Sequence, residues 1–332
     1  MFRPRPKGKL NFPECKSKEV SKKLRIALDI DNTIATGEAV SSEVEAKKYL
    51  DEFKRHGITE HIISISTQDA KGKPAILIHI LHRGAIEFAK WLHYTLDSRI
   101  SFFSAGAKER NVPFAKEYLS SALGEEEYGR IQDTITVCSR EDLNKSDTSD
   151  EDSRLQQIKY EKYGLGSGNF HKDLTKALRK GEDIKDIVLV DDDETYICPG
   201  QVKNSLIAGG TYRVGDFNLG DANSLSNLLR LNNIFYITGM LKSALDLIPK
   251  EGSFLNGLFK LQYKPKHPFT YERLWSISDE QLDYYLKGLK VLQKINPGLD
   301  FYGAEQLKFY FDAIEKGKTN VVKDHHRMSL VK

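Results

Sequence analysis

Three short apolar runs constrain this chain more than anything else in it. "LRIALDI" begins at Leu24, "RISFFSAG" at Arg99 and "DIVLVDDD" at Asp186. Each is too short for a helix and lacks the in-out alternation of a half-exposed strand. Each therefore reads as a strand buried on both faces. Each also ends in hydroxyl or carboxylate residues. Between them lie segments with helical spacing, among them "SSEVEAKKYLDEFKRHG", "GAIEFAKWLHYTL" and "NVPFAKEYLSSAL". Alternating strands and helices imply an α/β fold with a central parallel sheet, and in such sheets the site lies at the strand carboxyl ends.

Local signals fill in the rest. "SSEVEAKKYLDEFKRHG" places Val44, Tyr49, Leu50 and Phe53 at its apolar positions and closes at Gly57. "EHIISIST" and "PAILIHIL", joined by "QDAKGK", predict a hairpin. The helix in "NVPFAKEYLSSAL" is predicted with Pro113 near its first turn. "DTITVCSR" reads as a further strand, "DLTKALRKG" as a short helix, and "LSNLLRLNNIFYITGMLKSALDLI" as helical.

At 332 residues two domains are expected. Residues 1–22, basic and Pro-containing without an apolar segment, read as a disordered tail rather than a signal peptide. Residues 23–249 hold the strand–acid pattern, interrupted by an acidic, Ser/Gly-rich insertion at 140–168. After "PKEGS" the pattern ends, and 250–332 reads as a small, mainly helical C-terminal domain.

The formal charge of +3 gives no case for nucleic acid. Three scattered cysteines, Cys15, Cys138 and Cys198, form neither a disulfide framework nor a metal pair and suit a reducing compartment. No apolar run is long enough to span a bilayer, so a soluble protein is expected.

The strand ends carry the chemistry: Asp29, Asp31 and Thr33, then Ser104, then Asp191 and Asp192, with Lys172 beside them. Singly each has an ordinary reading. "DIDNT" suits a turn or helix cap, Ser104 a strand end, Lys172 a solvated charge, and "DDDE" an acidic cap. Together they suit phosphoryl transfer. Asp29 would attack phosphorus. That attack on an anion needs cations, which Lys172 and a Mg²⁺ ion held by Asp29, Asp192 and the Asp31 backbone carbonyl would supply. Ser104 would donate to a phosphoryl oxygen. Asp31 would protonate the leaving oxygen and then activate water.

In motif order the chain resembles the haloacid dehalogenase (HAD) superfamily. "DIDNT" is similar to its DxDx(T/V) motif, Ser104 to its second, Lys172 to its lysine motif, and "IVLVDDD" to its acidic motif. The closer resemblance is to the phosphatases of the RNA polymerase II C-terminal domain, carried by "LHRGAIEF", "SAGAKERNVPFA" and "HKDLT". The last selects Lys172 over Lys176. The resemblance spans roughly residues 24–245. It implies a Rossmann-like HAD fold with a minimal cap, and a Mg²⁺-dependent phosphatase working through an aspartyl-phosphate. It further implies phosphate binding by Ser104, Ala105 and Lys172, with Asp191 supporting the metal. The chain departs from that pattern at Gly84, where proline is usual, at Ser104 for threonine, and at Asp192 for asparagine. The 140–168 insertion has no counterpart in it.

A thinly covered site suits a phosphoprotein substrate. Phosphotyrosine is expected, with phosphoserine or phosphothreonine, a small phosphate ester, or binding without turnover as alternatives. Tyr49, Phe53 and His56 would lie in the flap over such a site, although a core role suits Tyr49 and Phe53 better. In layout the chain also resembles secreted effectors of intracellular bacteria such as Legionella. There a HAD-type tyrosine phosphatase precedes a phosphoinositide-binding tail, which implies secretion into a host cell and membrane association. Here Phe254, Leu255, Leu258, Phe259 and Leu261 beside Lys260, Lys264 and Lys266 would form the membrane wedge, or else a helical core. "DHHR" lacks further ligands at metal spacing.

Overall fold

The computed structural model describes residues 24–55, 57–68, 73–145, 170–198, 200–208, 225–262 and 279–318. The expected N-terminal tail, the hairpin link, most of the 140–168 insertion, His56, Lys264, Lys266 and "DHHR" lie outside the described residues.

The centre is a five-stranded, all-parallel sheet in the order β10-β9-β1-β5-β6. Its strands are β1 (Arg25–Leu28), β5 (Arg99–Phe103), β6 (Val137–Cys138), β9 (Ile187–Asp191) and β10 (Ser205–Ile207). All residues of β1 and β9 are buried, as two-sided coverage by helices requires. The α/β class read from the apolar runs is thus the observed one.

Register sets the site. Leu28 pairs with Phe102 on one side and with Val190 on the other. The next residue along each strand, Asp29, Phe103 and Asp191, therefore emerges at one level. Ser104 and Asp192 come one step later. Adjacent strands lie about 4.8 Å apart, so these side chains fall within reach of one another.

Between β1 and β5 the chain builds a three-stranded antiparallel sheet, β2-β4-β3, and two α-helices. These strands are β2 (Ala35–Val40), β3 (Ile62–Gln68) and β4 (Pro74–Leu81). The hairpin β3–β4 was expected. β2 was not, because Gly37 and Glu38 interrupt its apolar pattern. Helix α1 (Glu43–Arg55) starts where Ser42 Oγ accepts from the Glu45 amide and Glu45 reaches back to Ser41. Its Phe53 is buried with Ile58, Ile80 and Leu231, edge-on to Tyr49. Phe53 thus takes the core role, and Val44 is left exposed.

Helix α2 (Ala85–Lys90) follows Gly84, whose φ of 84° proline cannot adopt. An added Cβ there would also lie 3.3 Å from Phe235 and Leu292. Helix α3 (Lys108–Leu123) begins three residues earlier than the segment read from Asn111. Pro113 sits inside it rather than near its first turn. Helix α4 (Glu125–Ile131) continues from Gly124. The short helix expected in "DLTKALRKG" is a 3₁₀ turn at Leu174–Ala177.

Five further helices complete the described chain: α5 (Leu225–Arg230), α6 (Asn233–Glu251), α7 (Phe254–Gln262), α8 (Asp279–Gln293) and α9 (Ala304–Glu315). The break read at "PKEGS" ends α6, where Gly252 has φ 76°. α6 and α8 pack at a glycine crossing. A Cβ on Gly239 would lie 1.9 Å from the Tyr284 carbonyl, and one on Gly288 1.8 Å from the Phe235 carbonyl. One apolar core joins these helices to the sheet. Phe254 and Leu258 of the expected wedge are buried in it, with Leu255 and Leu261 packed against it. No helix among the described residues is long and apolar enough to cross a membrane.

Candidate active site

Asp29 leaves the carboxyl end of the central strand and is 4% exposed. The "DIDNT" segment forms a turn. The Asn32 amide donates to the Ala35 carbonyl at 2.8 Å, and the Ile30 carbonyl accepts from Ile34 and Ala35. Asn32 takes φ 57°, a left-handed conformation that asparagine tolerates.

Lys172 is buried and donates from Nζ to Asp29 Oδ1 at 2.8 Å and to Asp191 Oδ2 at 2.6 Å. Its ammonium also lies 4.8 Å from the centre of the Tyr196 ring. Its own amide donates to the Tyr196 carbonyl, which fixes the short segment after β8 (Phe170–His171), the antiparallel partner of β7 (Asn144–Lys145). Lys176, the other lysine considered, instead reaches the Asp142 carbonyl at an exposed edge.

The remaining oxygens differ in occupancy. Asp191 Oδ1 accepts from the Asp193 amide at 3.0 Å, so both its oxygens are engaged. Among the described residues Asp29 Oδ2 has only a long contact of 3.4 Å from the Thr33 hydroxyl. Burial pushes Asp29 up to about 7, against the pull of Lys172 and with the help of Asp191 and Asp31. Burial likewise raises Asp192 well above the usual carboxylate range, with Asp29 and Asp191 adding to it. Lys172 is held above an ordinary lysine: burial would lower it, but Asp191 and Asp29 together outweigh burial.

These observations test the site for a divalent cation. Oxygens of Asp29, Asp191 and Asp192 all lie within 4.8 Å of one another. When all three are ionised, three carboxylates against one ammonium leave two negative charges uncompensated. Hard oxygen donors of that charge are what Mg²⁺ takes, usually with several waters. The donor set fits.

Asp31 stands apart, its side chain 39% exposed. Arg110, from the first turn of α3, donates to Asp31 Oδ2 at 2.6 Å and to Ser104 Oγ at 2.8 Å. Arg110 was missed by the sequence reading because Pro113 drew the helix start past it. His79 of β4 lies behind Asp31, with Nε2 3.9 Å from Oδ1. It is fully buried, neither ring nitrogen has a hydrogen-bond partner among the described residues, and burial lowers its pKa to about 4. Gly37 pairs with His79 across the strands and makes room for it, since a Cβ there would lie 2.9 Å from the ring.

The loop after β5 is clamped from below. The Asn111 amide donates to the carbonyls of Ser104 and Gly106 and to the Ser139 hydroxyl. Ala105 lies within this clamped loop, and its carbonyl accepts from Arg140. The Asp29–Thr33 turn is held on its far side. The Thr33 carbonyl accepts from Asn233 of α6 at 2.8 Å and lies 3.2 Å from His82 Nδ1, while His82 Nε2 meets the Thr36 hydroxyl.

The structure therefore gathers Asp29, Lys172, Asp191 and Asp192 into one cluster. Arg110 joins Asp31 to Ser104 beside that cluster. The fold and site define an α/β protein with an acidic, lysine-bridged centre at the carboxyl edge of a parallel sheet.

No protein-family model matches the chain, and no curated protein matches it at a significant level. Among solved structures it is similar to Fcp1, an essential RNA polymerase II CTD phosphatase. The identity is 16% and the TM-score 0.41, over 92% of this chain and 69% of that one. It is also similar to a single-residue variant of the fission yeast RNA polymerase II CTD phosphatase Fcp1 bound to beryllium fluoride. There the identity is 15% and the TM-score 0.38, over 92% of this chain and 70% of that one. Identities and scores this low assign no function.

Proposed function

We propose that this chain is a Mg²⁺-dependent phosphatase of the HAD type, acting on phosphoproteins through an aspartyl-phosphate on Asp29. One observation carries the reading. Two aspartates two residues apart occupy opposite environments: Asp29 is buried against Lys172, and Asp31 is half-open beside Arg110. Carboxylates set apart in this way suit a division into nucleophile and proton carrier.

Asp29 Oδ2, the loosely held oxygen, forms the bond to phosphorus as the bond to the leaving oxygen breaks. Lys172 orients Asp29 through Oδ1 and offsets charge on both the carboxylate and the incoming phosphoryl group. Asp31 gives its proton to the leaving oxygen. It then takes a proton from water, the water oxygen bonds to phosphorus, and the bond to Asp29 breaks. Ser104, Ala105 and the loop clamped by Asn111 receive the phosphoryl oxygens. Asp29, Asp192 and the Asp31 carbonyl would hold the cation, and Asp191, with both oxygens engaged, would support it. Bound there, Mg²⁺ supplies neutralisation of charge on the nucleophile and the phosphoryl group.

The half-open Asp31 under a small antiparallel sheet supports a macromolecular substrate, with phosphotyrosine the first to test. An aryl phosphate and panels of phosphotyrosine and phosphoserine peptides decide between them. Asp29→Asn should reduce turnover to background, and Asp31→Asn should cost about 10²- to 10⁴-fold. Turnover by Asp29→Asn at the wild-type rate would refute the mechanism.

A further inference from the structure

The two cations of this site differ in availability. Lys172 is buried and holds Asp29 and Asp191 at 2.8 and 2.6 Å. Arg110 is at the mouth, its side chain 15% exposed. Its planar fork joins the two groups between which a phosphoryl group must enter, with Nη1 on Asp31 and Nη2 on Ser104 Oγ.

Its seat is built for it. Nε donates to Asn111 Oδ1 at 2.9 Å, and the amide of the same Asn111 anchors the Ser104 and Gly106 carbonyls. The guanidinium lies in the space that a side chain at position 106 would fill. A Cβ on Gly106 would fall 1.8 Å from Nη2 and 2.1 Å from Cζ. Nε thus keeps the group in place while its two outer nitrogens face exchangeable acceptors.

We propose that Arg110 binds the substrate phosphoryl group by partner exchange: it pairs with Asp31 in the empty site and passes to a phosphoryl oxygen when substrate arrives. This rests on the phosphoryl-transfer reading. A guanidinium fork matches two phosphate oxygens better than it matches one carboxylate oxygen and one hydroxyl. The exchange binds the anion and leaves Asp31 free to serve the leaving oxygen. Arg110 then belongs among the residues that touch substrate. The dianionic phosphoryl group is what displaces it, so a sulfate ester of the same alcohol, with one charge fewer, should bind far more weakly.

The test measures inorganic phosphate binding by calorimetry with Mg²⁺ present, and aryl phosphate hydrolysis, for wild type, Arg110→Ala, Arg110→Lys and Gly106→Ala. Arg110→Ala should weaken phosphate binding about 10- to 100-fold, the worth of one or two charge-assisted hydrogen bonds. Arg110→Lys should recover part of that loss. Added guanidinium ion at non-denaturing concentration should restore part of kcat/KM to Arg110→Ala alone. Gly106→Ala, which retains the arginine but fills its seat, should also weaken phosphate binding. A purely structural role would shift the melting temperature without guanidinium rescue. If Arg110→Ala binds phosphate within twofold of a wild type that hydrolyses the ester, this inference fails and the phosphatase reading stands. If wild type binds phosphate but never hydrolyses an ester, the phosphatase reading fails, and Arg110 is judged on binding. If wild type neither binds nor hydrolyses, both fail.

Discussion

Replacing Lys172 with methionine would expose how the acidic cluster is balanced. Methionine keeps most of the apolar stem and removes the ammonium, together with its approach to the Tyr196 ring. Asp29, Asp191 and Asp192 would then share one site without a protein cation. Leaving a buried charge unpaired costs about 3–5 kcal/mol. Against a total of about 5–15 kcal/mol for a folded domain, that is a large fraction. The loss depends on pH with a definite sign. All three carboxyls are raised in the folded protein even with Lys172 present, Asp29 to about 7. The folded chain then holds more protons than the unfolded one above pH ~4, so stability falls as pH rises through 7. Without Lys172 the carboxyls rise further and that fall steepens. Urea unfolding of metal-free protein, followed by tryptophan fluorescence, should therefore show a larger loss at pH 8 than at pH 5. Adding Asp191→Asn to the variant should recover part of it. A Lys172→Met protein within about 1 kcal/mol of wild type at pH 8 would refute this account of the cluster, as would a larger loss at pH 5.

Other consequences are open to direct measurement. Mg²⁺ should raise the melting temperature of wild type more at pH 8 than at pH 5, because protons compete for the carboxylates, and Asp192→Asn should abolish the effect. Gly37→Val should lower turnover and cost about 1–3 kcal/mol, since its Cβ would meet the His79 ring at 2.9 Å and Asp31 Oδ1 at 3.3 Å. Unchanged kinetics would show that the flap sheet does not position Asp31. Helix propensity says that Gly288→Ala should stabilise by up to about 1 kcal/mol. The 1.8 Å approach to the Phe235 carbonyl says the opposite, and thermal unfolding reads the sign.

The sheet was legible because β1, β5 and β9 are buried on both faces over most of their length and therefore largely apolar. β10 has three residues, too few for a pattern. β2 breaks its pattern at Gly37 for the sake of His79, a contact that no local window contains. The aspartates and Lys172 were legible by type and order, yet only register puts Asp29 level with Asp191. Arg110 escaped because proline's preference for a first helical turn pointed to a later start. Tertiary contacts of the Ser104 loop, held by Asn111, place that start earlier. Gly84 shows the converse: an apparent lapse from a motif is a φ requirement visible only in coordinates.

The bond from Asn233 to the Thr33 carbonyl ties the Asp29–Thr33 turn to a residue 200 positions later. This sets an order of events during synthesis. Asp192, the last of the acidic cluster, leaves the ribosome before Asn233 does. At about 5–20 residues per second the nascent chain spends roughly 2–8 s with every charged group of the site made and the brace for its turn still missing. Through that interval the acidic cluster must be tolerated by a chain that cannot yet hold it in place.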